Sequence, residues 1–84
     1  MARYFYVIED GETIPDRVGS EHQTLAEARH EAVRVMAELL PSRMDDLFDH
    51  ETLRIVTTDE TGLVLFTVET SAVIAPVLRL KAGG

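Results

Sequence analysis

The sequence predicts a small α+β domain in which an antiparallel sheet of four strands packs against one amphipathic helix, in the order ββαββ. Three observations indicate this class: an aromatic strand that ends in an Asp-Gly turn, a capped helix after it, and a second hairpin after the helix. The 84 residues suffice for one domain. We expect its core to span about 3–70, followed by an apolar tail at 71–80 and a frayed end at 81–84.

The first strand covers residues 3–9, and both of its faces are apolar. One face carries Tyr4, Tyr6 and Ile8, and the other carries Phe5 and Val7. Asp10 and Gly11 suit the positive φ angles of a type I′ turn, which predicts that residues 12–14 return as a short antiparallel strand. Pro15 ends this pairing because it has no N–H to donate. Residues 16–23 are predicted to form a loop.

A helix is predicted from Thr24 to Leu40 at the latest. Thr24 and Glu27 form a capping box, and Pro41 cannot continue the helix. The apolar residues of this segment share a stripe about 100° wide, which is typical of a helix packed on a sheet. The stripe consists of Leu25, Ala28, Ala32, Val35, Met36 and Leu39.

The second hairpin follows an acidic segment. Residues 42–51 predict a loop with one irregular turn, although Met44, Leu47 and Phe48 have helical spacing. Residues 52–58 and 63–69 then read as strands joined by a short loop that contains Gly62. The tail after residue 70 is apolar but interrupted by a proline, and it could be a docked segment, a swapped arm or a disordered end.

One helix covers only one face of the predicted sheet, whereas apolar residues occur on both faces. We therefore expect a second copy of the chain, in preference to the tail, to cover the other face. Which alternate set of side chains points outward stays open. The candidate interface residues are Phe5, Val7, Val64, Phe66 and Val68.

Charge narrows the range of partners. The chain has 15 acidic residues against eight lysines and arginines, for a net charge of −7. Because a phosphate backbone is repelled by such a field, neither a nucleic acid nor an anionic membrane is an expected partner. The aromatic residues of the first strand also lack the basic flanks of a base-stacking platform. The absence of cysteine and of a leader-like start favours the cytoplasm.

No pattern in the sequence predicts catalysis, a metal or a cofactor. The acidic run at 45–51 offers oxygen ligands without the spacing of a calcium loop, so a solvated loop is favoured. Ser20 and His22 have the side chains of a nucleophile and a base, but they lie in one predicted loop, where neighbours do not converge on a substrate. We therefore predict that the protein is not an enzyme.

Arg29 is the one charged residue at the edge of the helix's apolar stripe. Its methylenes could cover the core while the guanidinium reaches water. Alternatively, Arg29 forms a structural ion pair with Asp16 in the preceding loop. Both interpretations give Arg29 a role in the stability of the fold.

Short motifs spread over residues 3 to 70 are similar to those of a known family. They are Arg3-Tyr4-Phe5-Tyr6, Asp10-Gly11, Pro15-Asp16, Gly19, Ala28-Arg29, Glu31-Ala32 and Asp59-Glu60-Thr61-Gly62. The sequence resembles domain-of-unknown-function family 6894, small proteins of Rhizobium-like alphaproteobacteria. The resemblance implies a stand-alone bacterial cytoplasmic domain with no assigned activity. It implies that Asp10, Gly11, Asp16, Gly19 and Arg29 are pattern positions.

A fainter resemblance connects the chain to antitoxin domains of the HicB type, which also place a short acidic hairpin before an alanine-rich helix. We therefore expect a small acidic cytoplasmic interaction module that binds a protein and self-associates through its sheet. The alternative is an antitoxin-like inhibitor that masks a basic toxin or nuclease.

Overall fold

The computed structural model describes residues 2–78 and confirms an α+β domain with an antiparallel sheet. Within the described residues the chain forms three strands, two α-helices joined by a 3₁₀ turn, two more strands and a helical turn at 76–78. Up to Ser71 these elements are β1 (Ala2–Glu9), β2 (Thr13–Ile14), β3 (Ser20–His22), α1 (Leu25–Leu39), the 3₁₀ turn (Leu40–Ser42), α2 (Met44–His50), β4 (Thr52–Thr58) and β5 (Val64–Ser71).

The sheet is built around β1 and β4, which pair antiparallel in its centre. On the far side of β4 lies β5, also antiparallel. The other edge of β1 is shared, because β2 pairs with its C-terminal end and β3 pairs with its N-terminal end. The register places Tyr6 beside Thr57, and Thr57 beside Phe66, so these three side chains share a face.

The core lies between this face and the helices. Its buried apolar residues are Tyr4, Tyr6, Ala28, Ala32, Met36, Leu53 and Ile55. Leu47 of α2 packs against the same cluster, so both helices cover the same side of the sheet. We call this side the inner face.

The helix α1 confirms the Thr24 half of the predicted capping box, whereas Glu27 binds the amide of Gln23 instead of the amide of Thr24. Thr24 Oγ1 accepts a hydrogen bond from the amide of Glu27 at 3.2 Å, and the Glu27 carboxylate accepts one from the amide of Gln23 at 2.9 Å. The α-helix ends at Leu39, and Pro41 lies in the following 3₁₀ turn. Leu25 differs from the expected stripe because it is exposed at the first turn, beyond the edge of the core.

Strand β3 lies within residues 16–23, which the sequence predicts to be a loop. Because β2 is only two residues long, it leaves the N-terminal half of β1 without a partner on that edge, and residues 20–22 pair there. The first hairpin also differs in its turn. Residues 10–12 form a three-residue loop in which the amide of Asp10 donates to the Glu12 carbonyl, so the predicted type I′ turn is wrong.

The acidic segment forms a helix instead of the predicted loop. The helical spacing of Met44, Leu47 and Phe48 is realised in α2, where Leu47 reaches the core. Asp45 and Asp46 lie in its first turn, where their negative charges interact favourably with the positive end of the helix dipole. The helix ends at His50, and its C-cap residue Glu51 adopts a left-handed conformation with φ of 68°.

The predicted second hairpin is confirmed. Strand β5 begins at Val64 and continues to Ser71, two residues beyond its predicted end. The Asp59 carboxylate accepts hydrogen bonds from the amides of Thr61 and Leu63, which closes the turn before Gly62 leads into β5. Beyond β5, the amide of Ala72 donates to the Glu51 carbonyl at 2.9 Å. The last predicted tail residues and the predicted frayed end, 79–84, lie outside the described residues.

None of the helices between residues 2 and 78 has the length and apolarity needed to cross a bilayer.

Candidate functional site

The side of the sheet opposite the helices carries an apolar patch, which we call the outer face. Its apolar residues lie on three adjacent strands and are half-buried or exposed. In register, Phe5 lies beside Thr58 and Thr58 beside Val64, while Val7 lies beside Val56 and Val56 beside Thr67. Val64 is 56 % exposed. The outer face consists of Phe5, Val7, Val56 and Val64 with Thr58 and Thr67.

Two of the five candidate interface residues lie elsewhere. Phe66 and Val68 pack against the core on the inner face, so the prediction that they share an interface with Val64 is wrong. The reason is a bulge: Thr58 pairs with Val64 but Thr57 pairs with Phe66, which leaves Leu65 as an extra residue. The extra residue reverses the alternation, so Val64 faces outward and Phe66 faces inward.

A charged row bounds one end of the outer face. Glu9 lies beside Arg54 and Arg54 beside Glu69 in the register of the three strands. The Nε of Arg54 donates to the Glu69 carboxylate at 2.5 Å, and this hydrogen bond raises the pKa of Arg54. The outer face is therefore apolar in its middle and ionic at this end.

The loop before β3 is organised by Asp16. Its carboxylate accepts hydrogen bonds from the amides of Tyr6 at 3.1 Å and of Val18 and Gly19 at 3.0 Å each. Burial acts to raise the pKa of Asp16, but the three amides and the nearby charge of Arg3 outweigh it, so that the pKa is lowered. The carboxylate therefore ties the loop to strand β1.

The predicted ion pair between Arg29 and Asp16 is not formed in the described part of the chain. Asp16 is occupied by the three backbone amides, and Arg29 is exposed on α1. The cation near Asp16 is Arg3, which donates to the carbonyl of Val18 and to Glu21. The prediction is wrong because the Asp16 carboxylate already accepts hydrogen bonds from backbone amides, two in its own loop and one in β1.

A polar cluster on the inner face was missed by the sequence reasoning. Ser20 Oγ lies 2.9 Å from His22 Nε2 and 3.3 Å from the hydroxyl oxygen of Tyr6. On the other side of the imidazole, Nδ1 of His22 lies 4.0 Å from the carboxylate of Glu27. Ser20 and His22 converge because strand residues two apart share a face. The spacing of two residues between Ser20 and His22 could have indicated a shared strand face, but residues 16–23 were predicted to form a loop.

The turn between β1 and β2 lies against α2. Asp10 is 5 % exposed, and its carboxylate accepts a hydrogen bond from Nη1 of Arg43 at 2.5 Å. The ring of His50 lies over Gly11, where a Cβ atom would come within 2.6 Å of it. These residues, with Asp46, line a cleft of about 180 Å³. Nothing in the sequence links Asp10 to Arg43, because they lie far apart along the chain.

The candidate metal ligands of the acidic segment do not come together. Asp45, Asp46 and Asp49 lie on α2, and Asp46 lies 3.6 Å from the guanidinium of Arg43. Between residues 2 and 78, no group of three or more histidine and acidic side chains is arranged to hold a metal ion.

The architecture defines a small α+β protein with an antiparallel sheet, both helices on the inner face and an apolar patch on the outer face. The sequence matches the profile of the domain of unknown function DUF6894 over residues 3–71, and the chain belongs to that family. No curated protein and no solved structure matches the chain.

Proposed function

We propose that this protein is an interaction module that self-associates by packing the outer faces of two copies against each other. The observation that carries the proposal is the position of Phe5, Val7, Val56 and Val64. These side chains lie together on the side of the sheet away from both described helices.

The energetics favour burial of this patch. Apolar surface removed from water contributes about 25 cal/mol per Å², so one exposed valine together with two valines and a phenylalanine that are partly buried supplies a few kcal/mol. Sheets pack face to face in this way about 10 Å apart, with the side chains of both faces interdigitating. A two-fold axis would set each patch against its own copy.

The charge distribution is compatible with a dimer that packs through the outer faces, and it predicts how the stability of that dimer depends on salt. Each chain carries a net charge of −7, so two copies repel each other at long range. The centre of the outer face contains no acidic residue, and Arg54 offsets part of the charge of Glu9 and Glu69 at its edge. Added salt should therefore tighten the dimer, because it screens the repulsion without weakening apolar contacts.

Two valines of nearly equal exposure provide a matched test. Val64 on the outer face is 56 % exposed, and Val33 on α1 is 55 % exposed. We expect light scattering with gel filtration to show a dimer for the wild type and for Val33→Glu, but a folded monomer for Val64→Glu. A monomeric wild type, or a Val64→Glu variant that stays dimeric, would overturn the proposal.

The acidic surface supports the alternative function, an antitoxin-like inhibitor that masks a basic toxin or nuclease. Glu27 and Glu38 on α1 and Asp45 and Asp49 on α2 are exposed. This function requires a small basic protein encoded beside the gene. Co-expression of that protein should give a complex that dissociates as salt is raised, opposite to the behaviour expected of the dimer. A neighbourhood without such a gene would remove the alternative.

A further inference from the structure

We propose that Ser20 is a nucleophile activated by His22, and that it accepts acyl groups from small activated carboxylic esters. The proposal rests on the distance of 2.9 Å between Ser20 Oγ and His22 Nε2, which is a direct hydrogen bond between a hydroxyl and a potential general base. This site lies on the inner face beside the start of α1, so it is independent of the outer face.

The orientation of the imidazole is supported by its other neighbours. Glu27 lies 4.0 Å from Nδ1, which favours the tautomer with its proton on Nδ1 and the lone pair of Nε2 directed at Ser20. The ring also contacts Tyr4, with centroids 6.0 Å apart. Glu27 is itself held in place because its carboxylate accepts the amide of Gln23 in the capping box.

Tyr6 supplies a donor beside the nucleophile. Its hydroxyl oxygen lies 3.3 Å from Ser20 Oγ. Burial raises the pKa of Tyr6, so its hydroxyl keeps its proton at and above neutral pH. In the structure Ser20 Oγ donates to the Tyr6 oxygen. When the Ser20 hydroxyl rotates to donate to His22 instead, the Tyr6 hydroxyl is free to donate to Ser20 Oγ or to the oxyanion that develops on an attacked carbonyl.

The chemical step is acyl transfer. As Ser20 Oγ attacks the ester carbon, the hydroxyl proton passes to Nε2 of His22 and a tetrahedral oxyanion forms. The bond from carbon to the leaving alcohol or phenol then breaks, and His22 returns the proton to the leaving oxygen. Water attacks the resulting acyl-serine in the same manner, which releases the acid and restores Ser20.

Access to the site limits the substrate class. Ser20 and His22 are partly exposed, and β3 pairs with β1 along one edge only within the described chain. The cleft at Asp10 is lined by other residues and does not enclose Ser20. A substrate would therefore be held by few contacts, which favours small acyl groups with good leaving groups.

The test is acetylation of the full chain by p-nitrophenyl acetate, followed by intact mass and peptide mapping. In samples quenched with acid before the acyl-serine is hydrolysed, we expect an acetyl group on Ser20, distinguished by the peptide map from any on the N-terminal amine or Lys81. Ser42 is the internal control, since its hydroxyl donates to the Leu39 carbonyl at 2.9 Å and no histidine hydrogen bond accompanies it among the described residues. His22→Gln should slow the acetylation of Ser20 by at least ~100-fold, the lower range of general-base catalysis.

The wild-type map decides the proposal even if a variant folds poorly. Acetylation of Ser20 no faster than that of Ser42 would overturn it. So would an acetyl group that resides on His22 itself, or a Ser20 rate that a folded His22→Gln variant leaves unchanged. None of these outcomes bears on dimerisation through the outer face.

Discussion

At the scale of single residues, Asp16 shows how one side chain organises a loop. One carboxylate oxygen accepts the amides of Val18 and Gly19, and the other accepts the amide of Tyr6 in β1. Gly19 completes the arrangement, because its φ of 72° is left-handed and a Cβ atom there would lie 2.7 Å from the carbonyl oxygen of Tyr4. The loop is therefore held by hydrogen bonds to an ionised group.

Asp16 predicts a dependence of stability on pH. Its folded pKa lies below the ordinary value of 3.8, so its contribution is present above that value and is lost as the pH falls through the folded pKa. Asp16→Asn should lose about 1–3 kcal/mol near neutral pH, the cost of a hydrogen bond to a charged group. Urea unfolding should show this loss shrinking in acid. Glu60→Gln, at an exposed position in the second hairpin, should show no such loss.

Thr57 is a buried position that a small change should improve. Its hydroxyl is fully buried and has no hydrogen-bond partner in the described structure. Thr57→Val keeps the shape and removes the unpaired group, so thermal unfolding should show a gain of about 1 kcal/mol. Thr67→Val on the exposed outer face is the control and should change stability little. A loss of stability in Thr57→Val would indicate that the hydroxyl is paired in solution.

At the scale of elements, the contact between the first turn and α2 joins two parts of the chain. Gly11 and Gly62 both have positive φ, of 94° and 90°, but only Gly11 lies against another side chain, the ring of His50. Because Gly62 faces open space, a substitution there reports the backbone strain alone.

Gly11→Ala should therefore destabilise the protein more than Gly62→Ala. Both variants incur strain of about 1 kcal/mol or more at positive φ, and Gly11→Ala must also displace the His50 ring. In a His50→Ala background, the cost of Gly11→Ala should fall to that of Gly62→Ala. A double-mutant cycle by urea unfolding measures this coupling. Equal costs for the two glycines in the wild-type background would contradict the contact.

At the scale of the whole molecule, the bulge in the β4–β5 hairpin places two neighbouring apolar side chains on opposite faces of the sheet. Phe66 packs against the core, whereas Val64 lies on the outer face. Phe66→Glu should unfold the protein, because it places a charge against the buried cluster. Val64→Glu should leave it folded. Circular dichroism melting curves test the pair, and a well-folded Phe66→Glu variant would contradict the assigned faces.

The prediction from sequence was most successful where the signals were local. The Thr24 cap of α1 and the second hairpin depend on residues within a few positions of one another, and both are found. The edge partner of β1 was missed, because pairing of β3 with β1 joins residues about 18 positions apart and needs the free edge left by the short β2. Helix α2 was missed because its pattern is only seven residues long.

The sequence by itself determined the α+β class, the apolar stripe of α1 and the presence of apolar side chains on both sides of the sheet. Local propensity and periodicity are enough for these properties. The tertiary structure alone decided which face is outer, since one bulged residue reverses the alternation of β5. It also decided the partners of Asp16, Asp10 and Ser20, because hydrogen bonds form between whatever groups the completed sheet and helices bring within reach.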